Sequence, residues 1–376
     1  MSSFDGRYAF IADWYDPNAA LTRKYQLFYY PSDTTVEMFD IKNKRVFLKR
    51  SKCEAIRLHD LHIGAVVNIH SRQLTIKDYA DTSTSNRLKS KNEKTFAMVK
   101  PDAIQEVGTI IDTIYQNGFA ICNMKSVVFS RNEAEQFYGE HFGKPFFNNL
   151  MSFMTSGPVL AIELKAESAV SRWRSLIGPT DSRAARTEAP GSLRARFGFD
   201  NTKNACHGSD SDQSANRETD FFFGPTARQR STARCADSTL CIIKPHAVKE
   251  GVAGKILVAM QENGFYLNAL QMFHMEVANA EEFFEVYKGV VLEYSKMVDE
   301  LCSGPCIAVE VCGEGDVHKA FRDFVGPSDP EVAKHLRPQT LRAKFGVDKV
   351  RNAVHCTDLP DDASLEVEYF FKILNQ

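Results

Sequence analysis

The 376-residue chain has no Gly-x-x-x-x-Gly-Lys-Ser/Thr segment, and no Gly-x-Gly-x-x-Gly follows a β-rich run. A glycine loop that cradles phosphate in the Walker or Rossmann manner is therefore excluded. No apolar run approaches the ~20 residues that span a bilayer, and Met1-Ser2-Ser3-Phe4-Asp5 lacks the basic-then-apolar order of a secretory signal, so a cytosolic address is expected. The nine cysteines are odd in number and form no Cys-x-x-Cys pair, as expected of thiols in a reducing compartment rather than of a disulfide framework or zinc site. Excess charge of one sign is missing too: a formal charge of −2 argues against a protein dominated by nucleic-acid or anionic-membrane binding. What remains, 43% hydrophobic and 25% charged residues, is ordinary globular composition with length for two or three domains.

What the chain does have is a repeat. Lys100-Pro101 returns as Lys244-Pro245, Asn117-Gly118-Phe119 as Asn263-Gly264-Phe265, and Ser156-Gly157-Pro158 as Ser303-Gly304-Pro305. Farther on, Arg174 and Arg322, Arg194 and Arg342, Asn204 and Asn352, His207 and His355, and Glu218 and Glu366 all stand 148 positions apart. The pattern predicts four segments: 1–90, 91–223, a linker 224–237, and 238–376. In each copy a strand (Phe96-Ala97-Met98-Val99; Leu240-Cys241-Ile242-Ile243) runs into Lys-Pro, where proline disfavours helix for the preceding residue. Ile110, Ile111 and Ile114, like Ile256, Leu257 and Met260, fall at helical spacing, and Gly118 and Gly264 sit where a left-handed residue would end the helix. Strands over 121–129 and 158–164, with a helix over 132–138 between them, complete the order β-α-β-α-β; counterparts lie at 266–275, 279–287 and 305–311. Asn132 with Glu135, and Asn279 with Glu282, have the spacing of a helix N-cap and its third residue. The fold class expected is α+β, a ferredoxin-like split βαβ layer repeated in tandem.

Residues 1–90 differ. Aromatic and β-branched runs (Tyr8-Ala9-Phe10-Ile11, Tyr25 to Tyr30, Thr35 to Phe39, Ala65 to Ile69, Gln73 to Ile76) alternate with turn residues and predict a β domain. The polar stretches 81–86 and 224–231 read as linkers. Lys42, Lys44, Arg45, Lys49, Arg50 and Lys52 form a basic stretch, either a solvated hairpin or a docking surface for an acidic partner.

Lys100, Arg174, Arg194, Asn204 and His207, and in the second copy Lys244, Arg322, Arg342, Asn352 and His355, make an inventory suited to phosphate. Arginine offers a planar fork of donors, lysine a mobile charge, and an amide can hold a ribose hydroxyl. A histidine with a reference pKa near ~6.5 keeps one ring nitrogen free to attack an electrophile. Glu218 and Glu366, eleven residues on, could orient that ring. A lone histidine or arginine is usually a satisfied or solvated residue, but retention of the whole set in two diverged copies reverses that expectation. Cys206, opposite Val354, reads as core packing, and His141 and His246, unshared between copies, as residues without a catalytic role.

These residues resemble the nucleoside diphosphate kinase family over 95–223 and 239–371: Asn204 to Asp210 fits the pattern Asn-x-x-His-Gly-Ser-Asp in full, and Lys100-Pro101-Asp102 fits Lys-Pro-Asp. The resemblance implies that His207 is phosphorylated, that Lys100, Arg174, Thr180 and Arg194 contact phosphates, and that Asn204 meets the ribose. It further implies that Phe146 stacks on the base, Tyr138 stands near the histidine, and Ser209 with Glu218 holds the ring. It carries over a second, degenerate site at Lys244, Tyr287, Arg322, Ser328, Arg342, Asn352, His355 and Glu366. The cofactor implied is Mg²⁺ with ATP or another NTP, the metal riding on the nucleotide rather than on protein ligands.

Residues 1–90 are similar to the DM10 domain, which implies a cilium, flagellar axoneme or microtubule-organising centre as location and tubulin, microtubules or their associated proteins as partners. Since the chain stops soon after Phe370-Phe371, without the family's long tail, the two copies are expected to pair as an intrachain pseudo-dimer. Departures concentrate in the second copy: Asp102 becomes His246, Thr180 becomes Ser328, Gly208-Ser209 becomes Cys356-Thr357, and Pro145-Phe146-Phe147 is matched to Tyr294-Ser295-Lys296, removing the base-stacking aromatic. In the first, the stretch from Lys100 to Gly118 is two residues shorter than its counterpart, and the loop 180–191 looks longer than the family's. Two functions follow: phosphoryl transfer from an NTP through His207 to an NDP or other acceptor, or a structural or regulatory microtubule protein with only residual autophosphorylation.

Overall fold

The computed structural model describes residues 6–17, 19–89 and 93–375. β1 (Tyr8–Asp16), β2 (Leu21–Tyr30), β3 (Thr35–Asp40), β4 (Arg45–Lys52), β5 (Val66–Ile69) and β6 (Arg72–Tyr79) form one antiparallel sheet in the order β4-β3-β2-β1-β6-β5. Alternation sends Tyr25, Leu27 and Tyr29 of β2, Val36 and Met38 of β3, and Leu74 and Ile76 of β6 into a common core. The stretch 81–86 is not a linker: α1 (Thr82–Lys89) closes this half-barrel. Asp81 Oδ1 accepts from Thr84 N at 2.6 Å, Thr84 Oγ1 accepts from Ala9 N at 2.9 Å, and Leu88 enters the core. One apolar anchor among hydroxyls was too weak a periodic signal to betray it. The basic stretch is a hairpin whose second arm, β4, is the sheet edge; Arg50 is drawn onto Asp33 at 2.6 Å and over the Tyr30 ring, while Lys49 and Lys52 stay exposed.

The first repeat contains β7 (Glu93–Val99), a 3-10 turn (Pro101–Glu106), α2 (Val107–Gln116), β8 (Ala120–Val128), α3 (Arg131–Phe137), α4 (Phe147–Met154), β9 (Pro158–Ala166), α5 (Ala169–Ile177), α6 (Ser182–Glu188), α7 (Leu193–Phe197), β10 (Cys206–Gly208) and α8 (Asp212–Phe223). Its sheet order, β10-β7-β9-β8, antiparallel throughout, is the ferredoxin-like one. After β11 (Arg230–Ser231), the second repeat follows with β12 (Thr239–Ile243), α9 (Pro245–Lys249), α10 (Ala253–Glu262), β13 (Tyr266–Phe273), α11 (Val277–Phe283), α12 (Tyr294–Leu301), β14 (Cys306–Cys312), α13 (Val317–Val325), α14 (Pro330–Leu336), α15 (Leu341–Phe345), β15 (Val354–Cys356) and α16 (Ala363–Glu368). The order β15-β12-β14-β13 repeats the first.

Gly118 and Gly264 hold φ of +73° and +82°, ending α2 and α10 as their sequence implied. The N-caps differ from expectation. Ser130, not Asn132, caps α3, its side chain accepting from Glu133 N while Glu133 returns the bond. Glu276 precedes α11 without a side-chain cap, so Asn279 and Glu282 lie inside the helix. Two capping patterns overlapped in Ser130-Arg131-Asn132-Glu133-Ala134-Glu135, and spacing alone could not choose between them. The segment 180–191 contains α6, capped by Asp181, and its counterpart in the second repeat contains α14, capped by Asp329.

The two sheets meet where Lys125 of β8 stands opposite Gln271 of β13. Across them α2 and α10 touch at glycines, so that a Cβ on Gly254 would lie 2.3 Å from Asp112 N and one on Gly108 2.7 Å from Val258 N. One apolar cluster runs through both repeats, joining Ile110, Ile111 and Ile114 to Ile256, Leu257 and Met260. The stretch 224–231, read as an exposed linker, is exposed or half-buried along its length yet fixed in place: β11 pairs with β8, and Gln229 Nε2 donates to Phe221 O at 2.9 Å. The N-terminal domain is tied to both repeats, because Lys165 Nζ donates to His59 O at 2.8 Å and Lys249 Nζ pairs with Asp60 at 3.2 Å.

Candidate functional site

The site grows from a backbone contortion. Ala205 has φ of +66° and Ala353 of +70°, in the left-handed region that a Cβ disfavours. In the first repeat Ala205 N donates to Asp102 Oδ2 at 3.0 Å, and Ala205 O accepts from Lys100 N at 2.8 Å. The chain then pairs as β10 with β7, placing His207 opposite Met98.

His207 Nε2 lies 2.8 Å from Glu218 Oε2, which also accepts from Ser209 Oγ at 2.7 Å. An ionised carboxylate only accepts, so Nε2 carries the ring hydrogen and Nδ1 keeps the lone pair. Phe137 and Phe96 pack against the ring at centroid distances of 5.5 and 6.0 Å, and Tyr138 meets it edge-on at 6.1 Å. Tyr138 is buried, its hydroxyl facing Met154 Sδ, and burial raises its pKa. Trp173 Nε1 supports the strand by donating to His207 O at 3.1 Å.

Lys100 is buried, and its Nζ donates to Asn204 Oδ1 at 2.7 Å; burial first, then the neighbouring Arg194, pushes its pKa down to about 8. Asn204 Nδ2 donates to Thr180 O at 2.9 Å. Arg194 donates to Gly178 O and Cys206 O, locking the loop before α6 to β10. Arg174, at the end of α5, is exposed, and its guanidinium makes no hydrogen bond or ion pair among the described residues. Phe146, the residue before α4, is 45% exposed and approaches His141 edge-on at 5.6 Å. Cys206 is buried with its thiol pushed up to about 12 by burial, in keeping with a packing role.

The second repeat keeps the frame and changes the furniture. His355 Nε2 lies 3.0 Å from Glu366 Oε2, and Thr357 Oγ1 replaces Ser209 at 2.8 Å. Arg342 repeats the Arg194 contacts through Gly326 O and Val354 O. Lys244 Nζ turns to Val350 O at 2.8 Å, its pKa pushed down to about 7 chiefly by burial. Asn352 Nδ2 donates to Ser328 O at 2.9 Å, as Asn204 does to Thr180, but its Oδ1 has no partner.

Two correspondences need correcting. Phe284, not Tyr287, occupies the place of Tyr138, since each ends its helix and faces the histidine at about the same distance, 6.0 Å for Phe284. Tyr287 stands where His141 does, at the end of the 3-10 turn that follows. Likewise Glu293, the residue before α12, holds the place of Phe146, and Tyr294 that of Phe147. No aromatic stands at the place of Phe146, but the pairing with Ser295 is two residues out of register: the segments before α4 and α12 share a left-handed glycine, Gly143 and Gly289, yet differ by one residue in length after it.

Sequence reasoning missed Asp102 and His246 because the repeat does not preserve them. Yet both do one job: His246 Nε2 accepts from Ala353 N at 3.2 Å, and its Nδ1 donates to Glu300 Oε1 at 2.7 Å. Arg217, also missed, bridges Glu140 at 3.4 Å and Glu218 at 3.7 Å on the rim of the site. No group of three or more His, Cys, Asp or Glu among the described residues is placed to hold a metal ion.

A tandem ferredoxin-like fold carrying a carboxylate-held histidine, ringed by lysine and arginine, agrees with family comparison. The nucleoside diphosphate kinase profile matches residues 93–227 and 237–375, and the chain belongs to that family. A profile described as the nucleoside diphosphate kinase 7 N-terminal PH domain matches residues 2–90. The chain is 54% identical to nucleoside diphosphate kinase homolog 7 of Rattus norvegicus over 98% of its own length and 94% of the rat protein. It is 53% identical to the Mus musculus homolog 7 with the same coverage. Among solved structures it is similar to the Aquifex aeolicus nucleoside diphosphate kinase, at 47% identity over 36% of this chain and 96% of that one, with a TM-score of 0.35. No helix among the described residues is long and apolar enough to cross a membrane.

Proposed function

We propose that the first repeat transfers a phosphoryl group from an NTP to an NDP or another acceptor through a phosphohistidine at His207. The observation that carries this is the 2.8 Å bond from His207 Nε2 to Glu218, which leaves Nδ1 as the nucleophile and spreads the charge that forms on the ring. Nδ1 attacks the γ-phosphorus; the N–P bond forms as the P–O bond to the leaving NDP breaks, and the second half-reaction reverses these events on the acceptor. Lys100, Arg174 and Arg194 stabilise the transferring oxygens, Thr180 and Asn204 border the nucleotide, and Phe146 offers an exposed ring to the base. The cleft's donors are cationic and suit phosphate, so Mg²⁺ would be held by the nucleotide's own oxygens. Labelled γ-phosphate is expected in an acid-labile, alkali-stable bond and lost in His207→Ala; undiminished label in that variant overturns the assignment.

The two repeats act as an intrachain pseudo-dimer, a reading supported by the α2–α10 glycine contact and the shared apolar cluster. A second role, as a structural protein of cytoplasmic microtubules in a cilium, axoneme or organising centre, is supported by the basic edge strand β4, whose exposed Lys49 and Lys52 face outward for an acidic partner such as tubulin. Turnover with an NDP acceptor, measured beside co-sedimentation with microtubules for wild type and Lys49→Glu/Lys52→Glu, separates the roles. Fast turnover without co-sedimentation removes the second.

A further inference from the structure

We infer that the second site is closed by its own Asp358, whose carboxylate occupies Arg322 where a nucleotide phosphate would bind. The inference rests on the reading of Arg174 as a phosphate ligand and extends it to the second repeat.

Both repeats keep the arginine and the aspartate, yet the two pairs behave differently. In the first, Asp210 is engaged by hydroxyls and, among the described residues, forms no hydrogen bond with Arg174, which acts on it only as a nearby charge: its Oδ1 accepts from Ser214 Oγ at 2.7 Å and from Ser211 Oγ at 3.0 Å, and Ser211 caps α8. Arg174 is left exposed. In the second, Leu359 and Asp362 stand where Ser211 and Ser214 stood, so the aspartate has lost both hydroxyl donors, and one of its neighbours is another carboxylate. Asp358 has instead turned inward. Arg322 Nη1 donates to Asp358 Oδ1 at 2.6 Å and to Thr357 O at 2.8 Å. Tyr287, at the position of His141, donates its hydroxyl to the other carboxylate oxygen, Asp358 Oδ2.

A carboxylate oxygen accepts from a guanidinium much as a phosphate oxygen does, so Asp358 engages Arg322 in the ligand's stead through Oδ1 while Tyr287 holds Oδ2. The second histidine is also the less open of the two: the His355 side chain is 8% exposed, against 20% for His207, with Phe283 and Phe284 packed on its ring. A nucleotide would have to break a charge-assisted bond before making its own, and loss of one such bond is worth about tenfold or more in affinity.

The test uses the full chain. Leu359→Ser/Asp362→Ser restores the hydroxyls and is expected to draw Asp358 off Arg322; Asp358→Asn removes the charge directly. In the His207→Ala background, label from γ-phosphate at His355 should rise about tenfold or more in either variant. ADP binding to the otherwise wild-type chain should pass from one site to two. The reciprocal change, Ser211→Leu/Ser214→Asp, should depress His207 labelling. Label at His355 and ADP stoichiometry that stay unchanged in both second-site variants, with normal thermal unfolding, overturn the proposal. Failure of wild type to bind ADP or take label at His207 would instead defeat the phosphotransfer reading, whatever happens at the second site.

Discussion

Asp102 accepts the amide hydrogen of Ala205, whose left-handed backbone lies two residues before His207. In the second repeat a different residue type, His246, accepts from Ala353. Keeping the contact while changing the chemistry marks the strained alanine as a feature both sites need. Asp102→Ala should therefore slow His207 phosphorylation about tenfold or more, because alignment errors near 1 Å can cost about 100-fold. Ala205→Gly, which tolerates that φ without strain, should recover most of the rate in the double variant. Single-turnover labelling checks both; a double variant as slow as Asp102→Ala refutes the positioning role.

Glu218→Gln keeps an acceptor for His207 Nε2 but removes the charge that balances the phosphorylated ring. Labelling should fall by about 10- to 100-fold, in line with the loss of one charge-assisted interaction, and Glu218→Ala should fall further. Rapid-quench measurement of the first turnover decides this, with nucleotide affinity expected to hold.

The depressed Lys100 sets a pH limit. Its amine, pushed down to about 8, loses its proton as pH rises through that value, so NDP affinity should be flat below pH 8 and decline above it, by at most about tenfold per unit. Lys100→Met should bind more weakly and show no such break. The stability sign is opposite: the unfolded chain holds this proton up to an ordinary lysine pKa near ~10.4, so folding is relieved of a penalty as pH rises through that interval. Calorimetric titration across the range reads affinity.

Gly254→Val would force a side chain into the backbone of Asp112 and should destabilise the molecule by about 1–3 kcal/mol or more. The melting temperature should drop by several degrees, with Gly108→Val behaving alike. An unchanged melting temperature would mean the α2–α10 contact is looser than drawn.

Phe146→Ala should raise the KM for NDP about tenfold, since stacking on one base is worth ~1–3 kcal/mol. Steady-state kinetics suffice; an unaltered KM would place the base elsewhere.

Much of this was legible in the chain. The repeat exposed the strand order, the helix-ending Gly118 and Gly264, and the histidine with its glutamate, because each recurs with fixed spacing. What escaped was whatever the repeat had not preserved. Asp102 and His246 share a task but no chemistry, and the segments before α4 and α12 differ in length and share too little beyond Gly143 and Gly289 to fix the register, so that Tyr287 falls beside Tyr138 instead of His141. α1 was hidden by its own hydroxyls, and Asp358 by its identity with Asp210: two aspartates at matched positions gave no hint that one bonds serines and the other the arginine.

The continuous apolar cluster through both repeats has a consequence for dilution. Helices α2 and α10 belong to one chain, so their contact does not depend on protein concentration, as it would between separate subunits. A second repeat that handles no nucleotide would still be retained, because deleting it would leave the glycine face of α2 bare. Selection can thus let its chemistry drift while holding its packing fixed.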